Sequence, residues 1–169
     1  MISLRPAHED EIQSLAAIGL AAWEKAVSGL VDARAMRHVA ELSFLSFLKS
    51  RWLFTSVVEM DSVAAGWAAR EEGDGEISDL WIDPAVQRRG LGSLLLAHLE
   101  RRIADEGFGA ATISTHAQNA QAIAFFRKHG YAISWLSNTY APKLDRDVDA
   151  VGMTKILNEV AAEQDRRWF

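Results

Sequence analysis

The densest run of residues with a chemical use is Gln87-Arg88-Arg89-Gly90-Leu91-Gly92-Ser93. It lies between a segment that reads as a strand and one with the apolar spacing of a helix. The first N–H groups of a helix have no partner within it and carry about half a positive charge, so they attract an anion. At Gly90 and Gly92 no Cβ holds a phosphate away from the backbone, and Arg88 and Arg89 add two cations at the rim. The combination suits a pyrophosphate. Glycines so placed more often shape a turn, but here the Asp83-Pro84 strand stop, the crossover order and the spacing Gln-x-x-Gly-x-Gly coincide. A dinucleotide fingerprint fails because Leu95 stands where its last glycine belongs, and a P-loop fails because no Gly-Lys-Ser/Thr follows.

Such a cradle needs a strand before it and a helix after it. Glu76 to Ile82 reads as the strand, and Leu91, Leu94, Leu95, Leu99 and Ile103 mark an amphipathic helix over Arg89 to Ala104, ended by Gly107. Ala110 to Thr115 follows as a buried-type strand, so Glu76 to Thr115 is a βαβ unit with a right-handed crossover and parallel strands. Asn119 caps a helix carrying Ile123 and Phe126 that closes at Gly130. Upstream, Ile2 to Leu4 forms a short strand, Glu9 to Ala26 a helix, and Asp32 caps a second helix with Met36, Val39, Leu42, Leu45 and Leu48 on its apolar face. Trp52 to Glu59 and Val63 to Arg70 meet at Met60-Asp61-Ser62 as a hairpin. Tyr131 to Tyr140 and Ala150 to Leu157 read as two last strands, and Asn158 to Phe169 as a short helix. The expected order is β α α β β β α β α β β, an α/β domain.

The 169 residues, 49% hydrophobic and 24% charged, fit one domain that buries roughly 70% of the surface its unfolded chain exposes. The longest apolar runs, such as Leu94 to Ala97, fall far short of the ~18 residues a membrane span needs. No secretion signal is read in Met-Ile-Ser-Leu-Arg-Pro, so the cytoplasm is expected. With no cysteine the chain has no disulfide, thiolate nucleophile or Cys-ligated metal. A net charge of −5 speaks against nucleic acid as the main ligand and mildly favours a cationic partner. His8, His38, His98, His116 and His129 show no metal spacing, and no metal is expected.

Leu80-Trp81-Ile82-Asp83-Pro84 followed by Gln87 to Leu95 resembles the acetyl-coenzyme A signature of the GNAT superfamily of N-acetyltransferases. Asn119 to Tyr131 is similar to that family's other motif: an Asn that opens a helix, an aromatic residue further along it, and Gly-aromatic at the end. The two cover about Glu76 to Tyr131, in the family's order and separation. The resemblance implies a single N-acetyltransferase domain over residues 1–169, with a GNAT-like mixed central sheet, splayed parallel strands and flanking helices. It implies acetyl-coenzyme A as cosubstrate. Backbone amides of Arg88 to Ser93 would hold its pyrophosphate, Leu80, Trp81 and Ile82 would bond the pantetheine arm like an added strand, and Asn119 would touch the arm from the other side. For Asn119 a plain N-cap is an equal reading that does not exclude this.

Transfer to an amine requires a neutral amine, yet an alkylamine of pKa about 10.4 is almost wholly protonated at pH 7. Glu76 sits where some family members, notably the histone-acetylating branch, place a catalytic glutamate, and is the expected base. Asp79 competes with it, because their odd separation points them to opposite faces of a strand. His116 is a third candidate, more simply a hydrogen-bonded loop residue. Two positions depart from the family. Phe126 stands where many members have a tyrosine thought to protonate the leaving thiolate, so Tyr140 is the expected substitute. Ser114 stands where the ribosomal-protein-acetylating branch has a glutamate.

The acceptor is expected between Trp23 to Asp32 and Tyr140 to Asp149, as a small-molecule or peptide amine. The mixed charges of Lys143 to Asp149 read as a solvated loop, and Trp23, Trp52, Trp67, Trp81 and Trp135 as core or sheet packing rather than an aromatic cage. A non-catalytic acyl-coenzyme A sensor is the alternative function. The apolar tail Trp168-Phe169 suggests a homodimer; neither nucleic acid nor membrane is expected as a partner.

Overall fold

The computed structural model describes residues 1–167; the Trp168-Phe169 pair lies outside the described residues. Along the chain run β1 (Ile2–Pro6), α1 (Ile12–Val27), α2 (Ala33–Arg51), β2 (Thr55–Met60), β3 (Val63–Ala69), β4 (Asp79–Ile82) and α3 (Leu91–Asp105). Then come β5 (Ala110–His116), α4 (Ala120–Lys128), β6 (Ala132–Ala141), β7 (Arg146–Ile156) and α5 (Glu159–Arg167). The order is the expected one, with the tail helix added.

The strands form two antiparallel sheets, β1-β2-β3-β4 and β5-β7-β6. Asp61 and Ser62 close the β2–β3 hairpin with φ of 52° and 67°, the paired left-handed conformation whose twist matches the flanking strands. Side-chain alternation splits the first sheet between two cores. Val57 and Trp67 pack with Leu15, Trp23, Phe44 and Leu48 of α1 and α2, while Val58 and Ala68 pack with Leu91, Leu95, Leu99 and Ile103 of α3.

The two sheets meet where the chain enters β4. Among the described residues one parallel bridge joins them, Glu76 with Thr112, with Ile77 N–H donating to Thr112 O at 2.8 Å and Thr112 N–H to Gly75 O at 2.9 Å. Gly75 permits this approach, since a Cβ there would stand 2.5 Å from the Ala110 carbonyl oxygen. Beyond it Ser78 N–H turns to Ala69 O, and Asp79 to Ile82 pair with β3. β5 meanwhile pairs with β7. The expected strand Glu76 to Ile82 is therefore divided, and from Ser78 onward the facing edges of β4 and β5 diverge.

Two expectations are corrected. The buried stripe of α2 is Ala40, Phe44 and Leu48, at i, i+4 and i+8, whereas Leu42 is 53% exposed. The row is chosen by the Phe44 ring, which packs edge-on against Trp67 at 6.1 Å and Trp81 at 5.1 Å. β7 begins at Arg146 rather than Ala150, so much of the mixed-charge run is strand and the turn is residues 142–145. Trp135, expected in core or sheet packing, lies on edge strand β6 with its indole over Gly152 of the neighbouring strand.

Candidate functional site

A cavity of about 790 Å³ opens where β4 and β5 diverge. Its walls are those two strands, the N-termini of α3 and α4, the C-terminal half of α1 and the β6–β7 turn. Of the residues expected from sequence, Leu80 to Ile82, Gln87, Arg88, Gly90 to Ser93, Asn119, Phe126 and Tyr140 line it; Arg89 and Glu76 do not.

The segment Gln87 to Ser93 opens α3 through two left-handed residues, Arg88 and Gly90. Gly90 is the N-cap of α3 with φ of 77° and makes no side-chain cap, so the first-turn amides keep their capacity for an anion. A Cβ at Gly90 would meet nothing within 4 Å; the glycine is needed for its left-handed backbone rather than for space. Arg88 also adopts a left-handed φ of 65°, uncommon for a residue with a side chain. Gln87 spans the entrance, accepting from Lys25 Nζ at 2.7 Å and donating to Ile82 O at 3.3 Å. Lys25, a third cation at this end, was missed by the motif because it comes from α1.

Ser93 and His129 tie α3 to α4. The Phe125 carbonyl lies 2.8 Å from His129 Nδ1, and a carbonyl only accepts, so Nδ1 carries the proton. In the neutral ring Ser93 Oγ then donates to Nε2, also at 2.8 Å. Asn119 does cap α4, accepting from Ala122 N–H at 3.1 Å, and its Nδ2 faces Thr115 Oγ1 at 3.4 Å. Phe126 is buried, edge-on to Phe125 at 5.1 Å and Tyr131 at 5.4 Å.

The acid–base groups separate clearly. Asp79 lines the cavity and is 6% exposed. It accepts from Trp81 Nε1 at 2.9 Å, and Lys143 Nζ stands 4.0 Å away. Burial pushes its carboxyl above the ordinary aspartate value, while Lys143 and the Trp81 and Ser78 hydrogen bonds pull the other way. Glu76 is exposed and sits at the bridge, before the divergence that makes the cavity. Partial desolvation and then Asp74, Glu71 and Glu72 raise its carboxyl. The structure thus brings Asp79, and not Glu76, into the cavity.

His116 lines the cavity, with Nδ1 accepting from Gln118 N–H at 3.1 Å. Tyr140 is 56% exposed at the mouth and donates to Asp145 Oδ1 at 2.7 Å, a bond that raises its pKa. Ser114 also faces the cavity. Sequence reasoning overlooked Phe44 and read Lys143 as solvated; Lys143 is 24% exposed and its ammonium lies 4.8 Å from the Phe44 ring centroid and 5.5 Å from that of Trp81. The signal for Phe44 was its i+4 spacing from Ala40 and Leu48; no local signal marks Lys143.

Among the described residues no group of three or more His, Asp or Glu could hold a metal ion, and no helix is long and apolar enough to cross a membrane.

Comparison with known proteins follows the same lines. A profile of the acetyltransferase (GNAT) family matches residues 19–131, more than half of the chain. The [ribosomal protein bS18]-alanine N-acetyltransferase of Escherichia coli is 29% identical over 115 residues, 68% of this chain and 78% of that protein. The peptidyl-lysine N-acetyltransferase YjaB of Salmonella typhimurium is 27% identical over 136 residues, covering 79% and 86%. Among solved structures, a GCN5-related N-acetyltransferase from Rhodopseudomonas palustris superposes with a TM-score of 0.78 at 22% identity, over 92% of this chain and 95% of that one. The PaiA N-acetyltransferase of Thermoplasma acidophilum, solved in complex with coenzyme A, gives 0.77 at 16% identity, over 92% and 99%. These two structures share the fold of this chain.

Proposed function

The chain belongs to the GNAT family of acetyltransferases, and from that premise we propose that it moves an acetyl group from acetyl-coenzyme A to an amine of a small molecule or peptide. One observation carries the reading: a single cavity holds both an uncapped helix N-terminus and a buried carboxylate. The residues present fit the cosubstrate. The first-turn amides of α3, with Arg88 and Lys25 near them, suit a pyrophosphate, and the β4 edge from Leu80 to Ile82 suits an amide-bearing arm. When bound, acetyl-coenzyme A supplies an activated thioester. The chain's own residues orient the acceptor and take its proton.

Asp79 is proposed for that proton in place of Glu76. A carboxyl held above its ordinary value by burial is a better base toward an ammonium than an exposed one. Tyr140 serves as acid toward the departing thiolate only if it releases its bond to Asp145. A thiol of ordinary pKa about 8.5 also leaves as the anion without help. The name of one relative gives a ribosomal-protein alanine as acceptor and that of the other a peptidyl lysine, which keeps a peptide amine beside a small-molecule amine. Phe126 and Ser114 favour the second reading, a sensor that binds acyl-coenzyme A without turnover.

Thermal unfolding with acetyl-coenzyme A, coenzyme A, ATP and NAD, each at about 1 mM, tests binding. Ligand at ~100 times its dissociation constant adds about 2.7 kcal/mol, a shift of several degrees. Stabilisation by the two coenzyme A species alone is expected; equal shifts with ATP or none at all would remove the reading. Thiol release over a panel of amines then separates the enzyme from the sensor.

A further inference from the structure

Lys143 belongs to the turn between β6 and β7, yet its side chain is only 24% exposed. Its ammonium lies 4.0 Å from the Asp79 carboxylate and over the rings of Phe44 and Trp81. The three groups come from α2 and β4, and each is fixed. Phe44 is 1% exposed, Trp81 packs edge-on against it, and the Trp81 indole donates to Asp79. Two aromatic faces and a buried carboxylate make a receptor for one positive charge.

Three physical points fix what else could enter. An ionised Asp79 is stabilised by a cation beside it, and another cation in the place of Lys143 keeps that pairing. The rings attract an ammonium but have nothing to offer a hydroxyl of the same shape. The present occupant is an ammonium on an unbranched chain, placed 4.8 Å from the Phe44 ring centroid and 5.5 Å from that of Trp81, a position that an unbranched alkylammonium reproduces. Next to Lys143 in the turn, Pro142 is exposed, while Leu144 is buried in the α1–α2 core and keeps the hairpin anchored.

We propose that the box formed by Asp79, Trp81 and Phe44 is the acceptor subsite, that it takes a primary ammonium on an unbranched alkyl chain, and that Lys143 fills it in the resting protein. The inference rests on the transfer reaction proposed above and narrows its acceptor. An α-amine, whose nitrogen sits on a branched carbon, is the poorer substrate. A lysine side chain in a peptide and a free alkyl diamine present the same chemistry.

The test uses wild type, Lys143→Ala and Lys143→Met. First, n-propylammonium chloride is titrated into Lys143→Ala, with n-propanol and isopropylammonium as controls, and unfolding is followed. Truncation at Cβ removes three methylenes and the ammonium, and n-propylammonium replaces them. It is expected to raise the midpoint, and neither control is. Second, thiol release from acetyl-coenzyme A is measured with Nα-acetyl-lysine methylamide, 1,5-diaminopentane and alanine amide. The first two are expected to exceed alanine amide at least tenfold in kcat/KM, and their KM to fall threefold or more in Lys143→Ala and Lys143→Met. The ratio between the first two decides between a peptide and a free amine.

A merely structural ion pair predicts rescue by n-propylammonium but an unchanged or higher KM, which would overturn the proposal, as would alanine amide matching the other acceptors. No rescue in Lys143→Ala, with coenzyme A still stabilising it, would sink the box alone. Failure of coenzyme A to stabilise wild type would sink the transfer reaction itself.

Discussion

The two ends of the cavity are made of different material. At the proposed cofactor end the groups on offer are chiefly main-chain, the first-turn amides of α3 behind Gly90 and the edge of β4 from Leu80 to Ile82, with the side chains of Arg88 and Lys25 near them. At the proposed acceptor end they are side chains of Asp79, Trp81 and Lys143, backed by the buried Phe44 ring and drawn from β4, the β6–β7 turn and α2. Backbone groups recognise a ligand through the shape of the chain, so a few glycines and a helix start suffice. A side-chain receptor needs several distant segments to pack correctly first. The difference predicts separable failures, one in cofactor binding and one in chemistry.

The largest effect is expected at the acceptor end. Asp79→Asn keeps the size of the side chain but cannot take a proton, and kcat/KM should fall ~10²- to 10⁴-fold, with the thermal shift by coenzyme A retained. Glu76→Gln, at the bridge outside the cavity, should change kcat/KM less than about threefold, the scale of a removed surface charge. If the two results were exchanged, the base would be Glu76 and the comparison of the two ends would be wrong.

A smaller, opposite pattern is expected at the cofactor end. Gly90→Val forces a β-branched residue to a φ of 77°, which costs roughly 1–2 kcal/mol and disturbs the amides that follow. The dissociation constant of coenzyme A should rise about tenfold, while kcat at saturating acetyl-coenzyme A stays within about twofold. Titration followed by unfolding, beside steady-state kinetics, reads both.

The pH profile sharpens the same division. Asp79 acts when ionised, and burial holds its carboxyl above the ordinary value, so the acid limb of kcat/KM should lie above the normal aspartate range and should survive Glu76→Gln. The sign for stability follows from linkage. A carboxyl with a raised folded pKa favours the folded state most when protonated, below its unfolded pKa, and that contribution fades as pH rises through the folded value. The stability of wild type relative to Asp79→Asn should therefore decline over that interval, as urea unfolding at a series of pH values would show.

The same contrast explains what could be read from the sequence. The order of elements, the cap at Asn119 and the start of α3 were all legible, because each depends on neighbours within a few residues. The divergence of β4 from β5 was implied by family resemblance, but its starting point was not, since Glu76 and Ile77 bond to Thr112 while Ser78 bonds to Ala69. Nor was the cluster of Asp79, Trp81, Phe44 and Lys143. Phe44 is buried by tertiary packing that overrode the expected Leu42 row, and Lys143 sits in a run of charges that composition alone assigns to solvent. Its partner Asp79 is 64 positions away in the chain, beyond the reach of any local pattern.

Phe126, which lines the cavity from α4, gives the smallest expected effect. The ring lines the cavity yet is 4% exposed, held edge-on by Phe125 and Tyr131. Phe126→Tyr adds a hydroxyl that can serve the leaving thiolate if it reaches the cavity. If it turns into the core instead, it is buried without a partner, at about 1–3 kcal/mol of stability. Reaching the cavity, it should raise kcat by at most a few-fold or leave it unchanged, because a thiol leaves tolerably unaided. A rise in kcat with an unchanged unfolding midpoint would put the departing sulfur beside α4, between the cradle and the box. A fall of tenfold or more would mean that the position shapes the acceptor end rather than the thiolate.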